Sequence, residues 1–361
     1  MTEFRGKNVF LTGHTGFKGS WLALWLQNLG ANVTGYALAA PSKPSHFELL
    51  REQGILKIES VIGDICDLPS LSRAMTDADP DLVIHMAAQP IVLRSYRDPI
   101  ETYETNVMGT LKVFEAARSL KKGRLRAIVN ITSDKCYENR ETLVGYKETD
   151  PMGGYDPYSS SKGCAEILFS SYQRSYFPEE KYGSDHNILM ASVRAGNVIG
   201  GGDWAEDRLI PDLIRAAKEN RVAIIRNPSA IRPWQHVLEP LSGYLEIARR
   251  LLSGETAASG GWNFGPNEES CVTVGELLTS LKKQWNGLGF ELGTTGSVHE
   301  AGFLRLDSSK ARTKLGWKPV LSFEETLQWT ADWYRNQKES GELNTLQQLK
   351  DYSEKLEASK K

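Results

Sequence analysis

Asn8-Val9-Phe10-Leu11-Thr12-Gly13-His14-Thr15-Gly16-Phe17-Lys18-Gly19 is the stretch that decides the fold. Its first five residues read as a buried strand, since the apolar run stops at glycine too soon for a helix. From Gly19 to Leu29 the pattern changes: Trp21, Leu22, Leu24, Trp25 and Leu26 fall at spacings that give an amphipathic helix its apolar face, and Gly30 stands where a helix C-terminal glycine belongs. The turn between strand and helix carries Gly13, Gly16 and Gly19. A dinucleotide pyrophosphate must approach backbone N–H groups at a helix N-terminus, where aligned peptide dipoles favour anions, and a Cβ there would block the turn or the approach. Glycines alone are weak evidence, but a strand before them and a helix after them make this a dinucleotide-binding loop. Gly13, His14, Thr15, Gly16, Phe17 and Gly19 are the first cofactor-binding candidates.

Outward from this loop, apolar runs alternate with longer periodic ones. Residues 32–38, 60–63, 82–86, 126–131 and 187–193 read as further strands, and 101–120 and 159–176 as helices. Such alternation implies parallel strands joined by right-handed crossovers, an α/β doubly wound parallel sheet of modified Rossmann type. After Gly196 glycines and prolines break the pattern, with a helix expected near Pro211. The expected organisation is a dinucleotide-binding domain over 1–197 with a return segment at about 236–265. A smaller C-terminal α/β substrate domain takes about 198–235 and 266–361. The polar tail from Gln337 to Lys361 reads as a solvated terminal helix.

Composition narrows the function classes. With 361 residues, 40% hydrophobic, 24% charged and a formal charge of −2, the chain is that of a folded globular protein with no bulk electrostatic reason to bind nucleic acid or a membrane surface. The N-terminus lacks the pattern of a signal peptide, and no apolar run approaches the ~18 residues of a membrane span. Cys66, Cys136, Cys164 and Cys271 are scattered without metal or redox spacing, so no metal is expected and reduced thiols in the cytoplasm are.

The acidic residue that would hold an adenosine ribose about 20 positions beyond the glycine loop is not evident: the second strand runs into Tyr36-Ala37-Leu38-Ala39-Ala40-Pro41, with neither carboxylate nor arginine. Spacing leaves NAD and NADP both open. Asp64 and Ile65, after the third strand, are candidates for the adenine, with an ordinary turn aspartate as the other reading. Further along, Tyr158-Ser159-Ser160-Ser161-Lys162 sets a phenol and an ammonium four residues apart on one helix face. A phenol near pKa 10 is a poor base at neutral pH, but an ammonium and a positive nicotinamide beside it favour the phenolate. Ser133 ends the preceding strand, where its hydroxyl would hold a substrate oxygen. Loop, serine and Tyr/Lys pair come in the order one active site requires.

These residues resemble the extended short-chain dehydrogenase/reductases, and the resemblance covers nearly the whole chain. It extends through Met86-Ala87-Ala88-Gln89, Asn106-Val107-Met108-Gly109-Thr110, Arg194-Ala195-Gly196-Asn197-Val198, Arg232-Pro233-Trp234-Gln235-His236-Val237 and Leu315-Gly316-Trp317-Lys318-Pro319. It implies Ser133, Tyr158 and Lys162 as a triad, with NAD held by Ala87, Ala88, Gln89, Asn106, Tyr158 and Lys162 besides the loop. It implies a nucleotide-sugar bound through Asn197, Arg208, Arg232 and Arg305. Ser133-Asp134-Lys135 is similar to the acid and base that follow the triad hydroxyl in the nucleotide-sugar 4,6-dehydratases, hydro-lyases of deoxysugar biosynthesis such as that for lipopolysaccharide O-antigen. Lysine in place of the commoner glutamate is similar to the members that act on CDP-glucose. The implied chemistry is oxidation at C4, loss of water across C5–C6 with Asp134 as acid and Lys135 as base, and return of hydride to C6.

Two rival readings remain at this stage. A nucleotide-sugar epimerase would use the same triad but would need no Asp-Lys pair, and a non-catalytic NAD(P)H sensor would have no use for a complete site. The family usually forms homodimers through the helices beginning near Glu101 and Tyr158. Leu111, Val113, Phe114, Ile167, Leu168 and Tyr172 suit that bundle, or equally packing on the sheet.

Overall fold

A computed structural model describes residues 2–142, 144–225, 227–285, 287–293 and 302–359. Seven strands form one parallel sheet: β1 (Asn8–Thr12), β2 (Asn32–Ala37), β3 (Glu59–Ile62), β4 (Leu82–His85), β5 (Ala127–Ile131), β6 (Leu189–Ala195) and a late strand, Gly260–Phe264. Their spatial order runs from the late strand through β6, β5, β4, β1 and β2 to β3. Every neighbouring pair is parallel, with Val9 opposite both Val33 and Leu82. Strand order reverses between β1 and β4, so the loops after these two strands part there and leave the crevice in which open α/β sheets bind ligands. The doubly wound sheet read from the sequence is the one observed, with the Gly260–Phe264 strand added at its edge.

Helices α1 (Phe17–Asn28), α2 (His46–Glu52), α3 (Leu68–Ala78), α4 (Val92–Arg97), α5 (Pro99–Tyr103), α6 (Thr110–Ser119), α7 (Pro157–Tyr176), α8 (Leu209–Lys218) and α9 (Leu238–Leu252) follow the crossovers. The stretch read as one helix over 101–120 is α5 and α6 joined by a π-helical segment, Glu104–Gly109. Short pairs follow β6: β7 (Val198–Ile199) with β10 (Gln235–His236), and β9 (Ile231–Pro233) with a strand at Cys271–Thr273, so the chain crosses repeatedly between the sheet and the region above it. Helix α10 (Val274–Gln284) starts with a capping box on Thr273 and Glu276.

Two expectations change. Helix α1 is not amphipathic: residues 19–26 are all buried. The last helices explain why. Helix α11 (Phe323–Glu339) and α12 (Thr345–Ala358) cover its outer side, with Trp25 edge-on to Tyr352 and Trp21 and Trp333 both against His46. The tail is thus a docked helix, not a solvated one. Thr345, Gln348, Leu349, Tyr352 and Leu356 form its buried stripe at helical spacing. Of the residues suited to a subunit bundle, Val113, Phe114 and Tyr172 are buried against the sheet in one core cluster, with Leu111 and Leu168 packed beside them. Ile167 faces out, 61% exposed.

Candidate active site

The glycine loop is built as its residues dictate. Gly13 has φ +80°, and a Cβ there would stand 2.7 Å from the backbone nitrogen of Ala87. The loop after β4 therefore lies directly on it. Thr12 Oγ1 holds that contact by accepting the N–H groups of Met86 and Ala87, each at 3.1 Å. Thr15 donates to the carbonyl of Leu38 at the end of β2. Gly16 is the N-cap of α1 and brings no side chain to cap it, so the first-turn N–H groups are left for an outside acceptor. Phe17 is half-buried, its ring facing Gly200. His14 departs from expectation. Its imidazole is buried beneath the loop, with Nε2 2.7 Å from Ser60 Oγ, the ring edge-on to Phe47 and filling the space left by the absent Cβ of Gly35. Only its backbone is available to a phosphate.

Asn106 and Gln89 serve the site from behind. Asn106 Oδ1 accepts from Gln89 N at 2.8 Å, and Nδ2 donates to Gln89 O and to Ser161 Oγ, so the amide ties the β4 loop to α7. Gln89 Nε2 donates to Thr102. Ala88 is half-buried in the same loop. Ile65 packs on Gly109, and Asp64, exposed at the end of β3, accepts from Cys66 N as a turn aspartate does.

The reacting groups converge. Ser133 caps the short turn Asp134–Cys136 that follows β5, and its hydroxyl lies 2.9 Å from Asp134 Oδ1 while accepting from Lys135 N at 3.3 Å. Helix α7 begins at Pro157 because Asp156 caps it by accepting from Ser159 N, which fixes Tyr158 in the first turn with its phenol beside Ser133. Asp134 is 2% exposed, and its Oδ2 is a buried oxygen without a protein hydrogen-bond partner among the described residues, facing Gly196. Burial raises its carboxyl above the usual range against the charges of Lys135, Arg232 and Lys18. Burial pushes Tyr158 up to about 12, and the Ser133 hydrogen bond and the Arg208 charge oppose it. Lys162 is itself desolvated, pushed down to about 8, with Glu166 as its counter-charge.

Of the arginines, Arg208 pairs with Asp203 at 2.9 Å beside Tyr158, and Arg232 donates to the carbonyls of Ile231 and Gly302 near Asp134. Arg305 pairs with exposed Glu268 at 3.1 Å. Asn197 accepts from Gln235 N through its backbone, pairing the β7 and β10 region. Sequence reasoning missed Lys18. Its ammonium, lowered to about 8 by burial and by Arg208, sits within the field of Asp134, Lys162 and Asp203, between the glycine loop and the reacting groups. A lysine directly before the third glycine was the available signal. No helix among the described residues is long and apolar enough to cross a membrane, and those residues contain no His/Cys/Asp/Glu cluster able to hold a metal.

The family model described as GDP-mannose 4,6 dehydratase matches residues 10–330. A CDP-glucose 4,6-dehydratase of Salmonella typhimurium is 52% identical over 92% of this chain and 91% of its own length. Among solved structures, epimerase Mth375 of Methanothermobacter thermautotrophicus superposes with a TM-score of 0.79 at 23% identity, covering 94% of this chain and 95% of its own. DesIV, a dTDP-glucose 4,6-dehydratase of Streptomyces venezuelae with NAD and TYD bound, gives 0.75 at 22% identity, covering 91% and 97%. The two structures share the fold; the sequence relative and the family model carry the kinship. The chain belongs to the GDP-mannose 4,6 dehydratase family.

Proposed function

We propose that this enzyme is an NAD-dependent nucleotide-sugar 4,6-dehydratase that converts CDP-glucose to CDP-4-keto-6-deoxyglucose. The observation that carries the dehydration is Asp134 Oδ2, buried without a hydrogen-bond partner among the described residues, with Ser133 and Tyr158 beside it. An epimerase has no use for a buried carboxyl there. The choice of CDP-glucose is supported by the Salmonella relative and by the Asp134-Lys135 pair.

The uncapped first turn of α1 and the cradle of Gly13 and Gly16 fit a dinucleotide pyrophosphate. NAD bound there would supply the acceptor for the hydride from C4, the donor of hydride to C6, and a positive nicotinamide beside Tyr158. Tyr158 takes the C4 hydroxyl proton while Ser133 orients that oxygen, and Lys162 holds the nicotinamide ribose. Once C4 is a ketone, the C5 proton is acidic, because the carbanion delocalises into the carbonyl. Lys135 removes it, Asp134 protonates the hydroxyl that leaves C6 as water, and Lys135 gives the proton back to C5 as C6 is reduced. Arg208 and Arg232 are proposed to hold the diphosphate, with Asn197 and Arg305 as further contacts, in a substrate domain formed by about 198–235 and 266–361. The chain is further proposed to act in the cytoplasm as a homodimer. The exposed Ile100, Tyr103 and Met108 beside α5 and Ile167 on α7 support an interface.

The test is a screen of CDP-, UDP-, dTDP- and GDP-glucose with added NAD for a 4-keto-6-deoxy product. Turnover of CDP-glucose alone or foremost is expected. A 4-epimer without a ketone would refute the reading.

A further inference from the structure

Thr132, Glu166 and Arg194 touch none of the reacting atoms, yet they join the pieces that carry them. Glu166 lies four residues beyond Lys162 on α7, and its side chain is 2% exposed. Its Oε1 accepts from Thr132 Oγ1, from Ser192 Oγ at 2.9 Å and from Arg194 Nε at 2.9 Å, and its Oε2 accepts from Arg194 Nη2 at 2.7 Å. Thr132 is the residue before Ser133. Arg194, on β6, donates its remaining arm to the hydroxyl of Tyr137, the residue that leaves the turn bearing Asp134 and Lys135, and Tyr137 in turn donates to Asn263 on the edge strand at 2.8 Å. One carboxylate thus grips the helix of Tyr158 and Lys162, the entry to the Ser133 turn, and through Arg194 its exit.

We propose that Thr132, Glu166 and Arg194 are positioning residues, a clasp that fixes the Ser133–Asp134–Lys135 turn against the Tyr158–Lys162 face of α7. The proposal rests on the dehydratase reading above. Apolar contacts between helix and sheet tolerate small slides, whereas a misplacement of about 1 Å at reacting groups can cost about a hundredfold in rate. A buried ion pair is not the cheapest filling for a core, since apolar residues of like volume often serve stability as well. What the bidentate Arg194–Glu166 fork supplies instead is a fixed distance.

Thr132→Val removes one hydrogen bond from the clasp without changing shape, and Thr132→Ser restores it. The assay is kcat and KM for 4-keto product from CDP-glucose with NAD, alongside thermal melting. The expected result is a kcat about tenfold lower in Thr132→Val, a modest fraction of that misplacement limit, with KM and melting temperature near those of the parent, and recovery in Thr132→Ser. A valine variant as fast as the parent overturns the clasp, and so does a serine variant as slow as the valine one, which would trace the loss to the methyl group. Glu166→Gln is the second variant: a drop in kcat with retained folding supports the clasp, parental kcat overturns it, and if it does not fold the Thr132 pair decides. Failure of the dehydratase reading would show in the parent protein, which would then make no 4-keto product, and the clasp would fall with it.

Discussion

The glycine loop offers a test that separates folding from ligand binding within one turn. Gly19 lies in the first turn of α1, and a Cβ built on it would stand 2.0 Å from the carbonyl oxygen of Gly13, 2.8 Å from its carbonyl carbon and 2.9 Å from the Cα of His14. All three are backbone atoms. No rotamer relieves the overlap, so the loop or the helix must move by an ångström or more. Both are locked, α1 by its burial on every side and the loop by Ala87 and Thr15. Overpacking of this kind costs about 3 kcal/mol or more, and in a chain of this length Gly19→Ala should lower the melting temperature by roughly 4 °C or more. Gly16 is the opposite case. At φ −79° and ψ 171° it is in a conformation any residue adopts, and its added Cβ meets only Gly13 O at 3.4 Å, an ordinary contact. Gly16→Ala should change stability by no more than about 1 kcal/mol. Its methyl would, however, stand at the mouth of α1, where the pyrophosphate is proposed to approach. A loss of NAD affinity of about tenfold or more, about 1.4 kcal/mol, is expected. Melting without cofactor and calorimetric titration with NAD measure the two effects separately. If both variants melt alike, the packing argument is wrong. If Gly16→Ala binds NAD as the parent does, the pyrophosphate does not lie on this loop.

Other outcomes follow from the same coordinates. Lys135→Ala should still oxidise C4 but lose solvent deuterium incorporation at C5, as read by mass spectrometry, with overall turnover down about 10²–10⁴-fold; undiminished exchange would take the base role from Lys135. Gly196→Ala would set a methyl 3.0 Å from Asp134 Oδ2 and 2.9 Å from Pro233 Cγ, so kcat should fall by about tenfold to a hundredfold, and a variant with parental kcat would show that the carboxyl has room to spare. Glu239 is buried beneath α12, where it accepts the N–H groups of Val320 and Leu321 and the hydroxyl of Tyr352, and burial pushes its carboxyl up to about 7. A raised folded-state value means stability that is fully present below the ordinary value of 4.5 and lost as pH rises through about 7. Glu239→Gln should therefore remove a decline on the order of 3 kcal/mol across that window, seen in denaturant midpoints against pH; parallel curves for the two proteins would refute it.

The parts of this molecule that could be read from the sequence are those whose signal is local. Strand β1, its glycine turn and the helix opening at Tyr158 each declare themselves within a few residues, because a turn needs glycine where it needs it and a helix shows its period at once. Asp134 and Lys135 were legible by position, since they follow directly on the strand-end serine. The failures share a cause: the deciding partner lies far away along the chain. Trp21, Leu22, Leu24 and Trp25 fit an amphipathic stripe until Tyr352 and Trp333, more than 300 residues later, turn the solvent side of α1 into core. The 345–358 tail looked solvated because its polar residues outnumber the apolar ones, yet Leu349, Tyr352 and Leu356 carry the helical spacing that marks a buried face, and periodicity was the better guide than composition. His14 belongs to the same class. A polar residue inside a phosphate loop invites a ligand role, and only the empty space over Gly35, with Ser60 beyond it, shows that the imidazole is part of the floor. Glu166 stood four residues from Lys162 on the same helix, but the reason a carboxylate is tolerated there is Arg194 on another strand, and a buried charge cannot be assigned a role until its counter-charge is known.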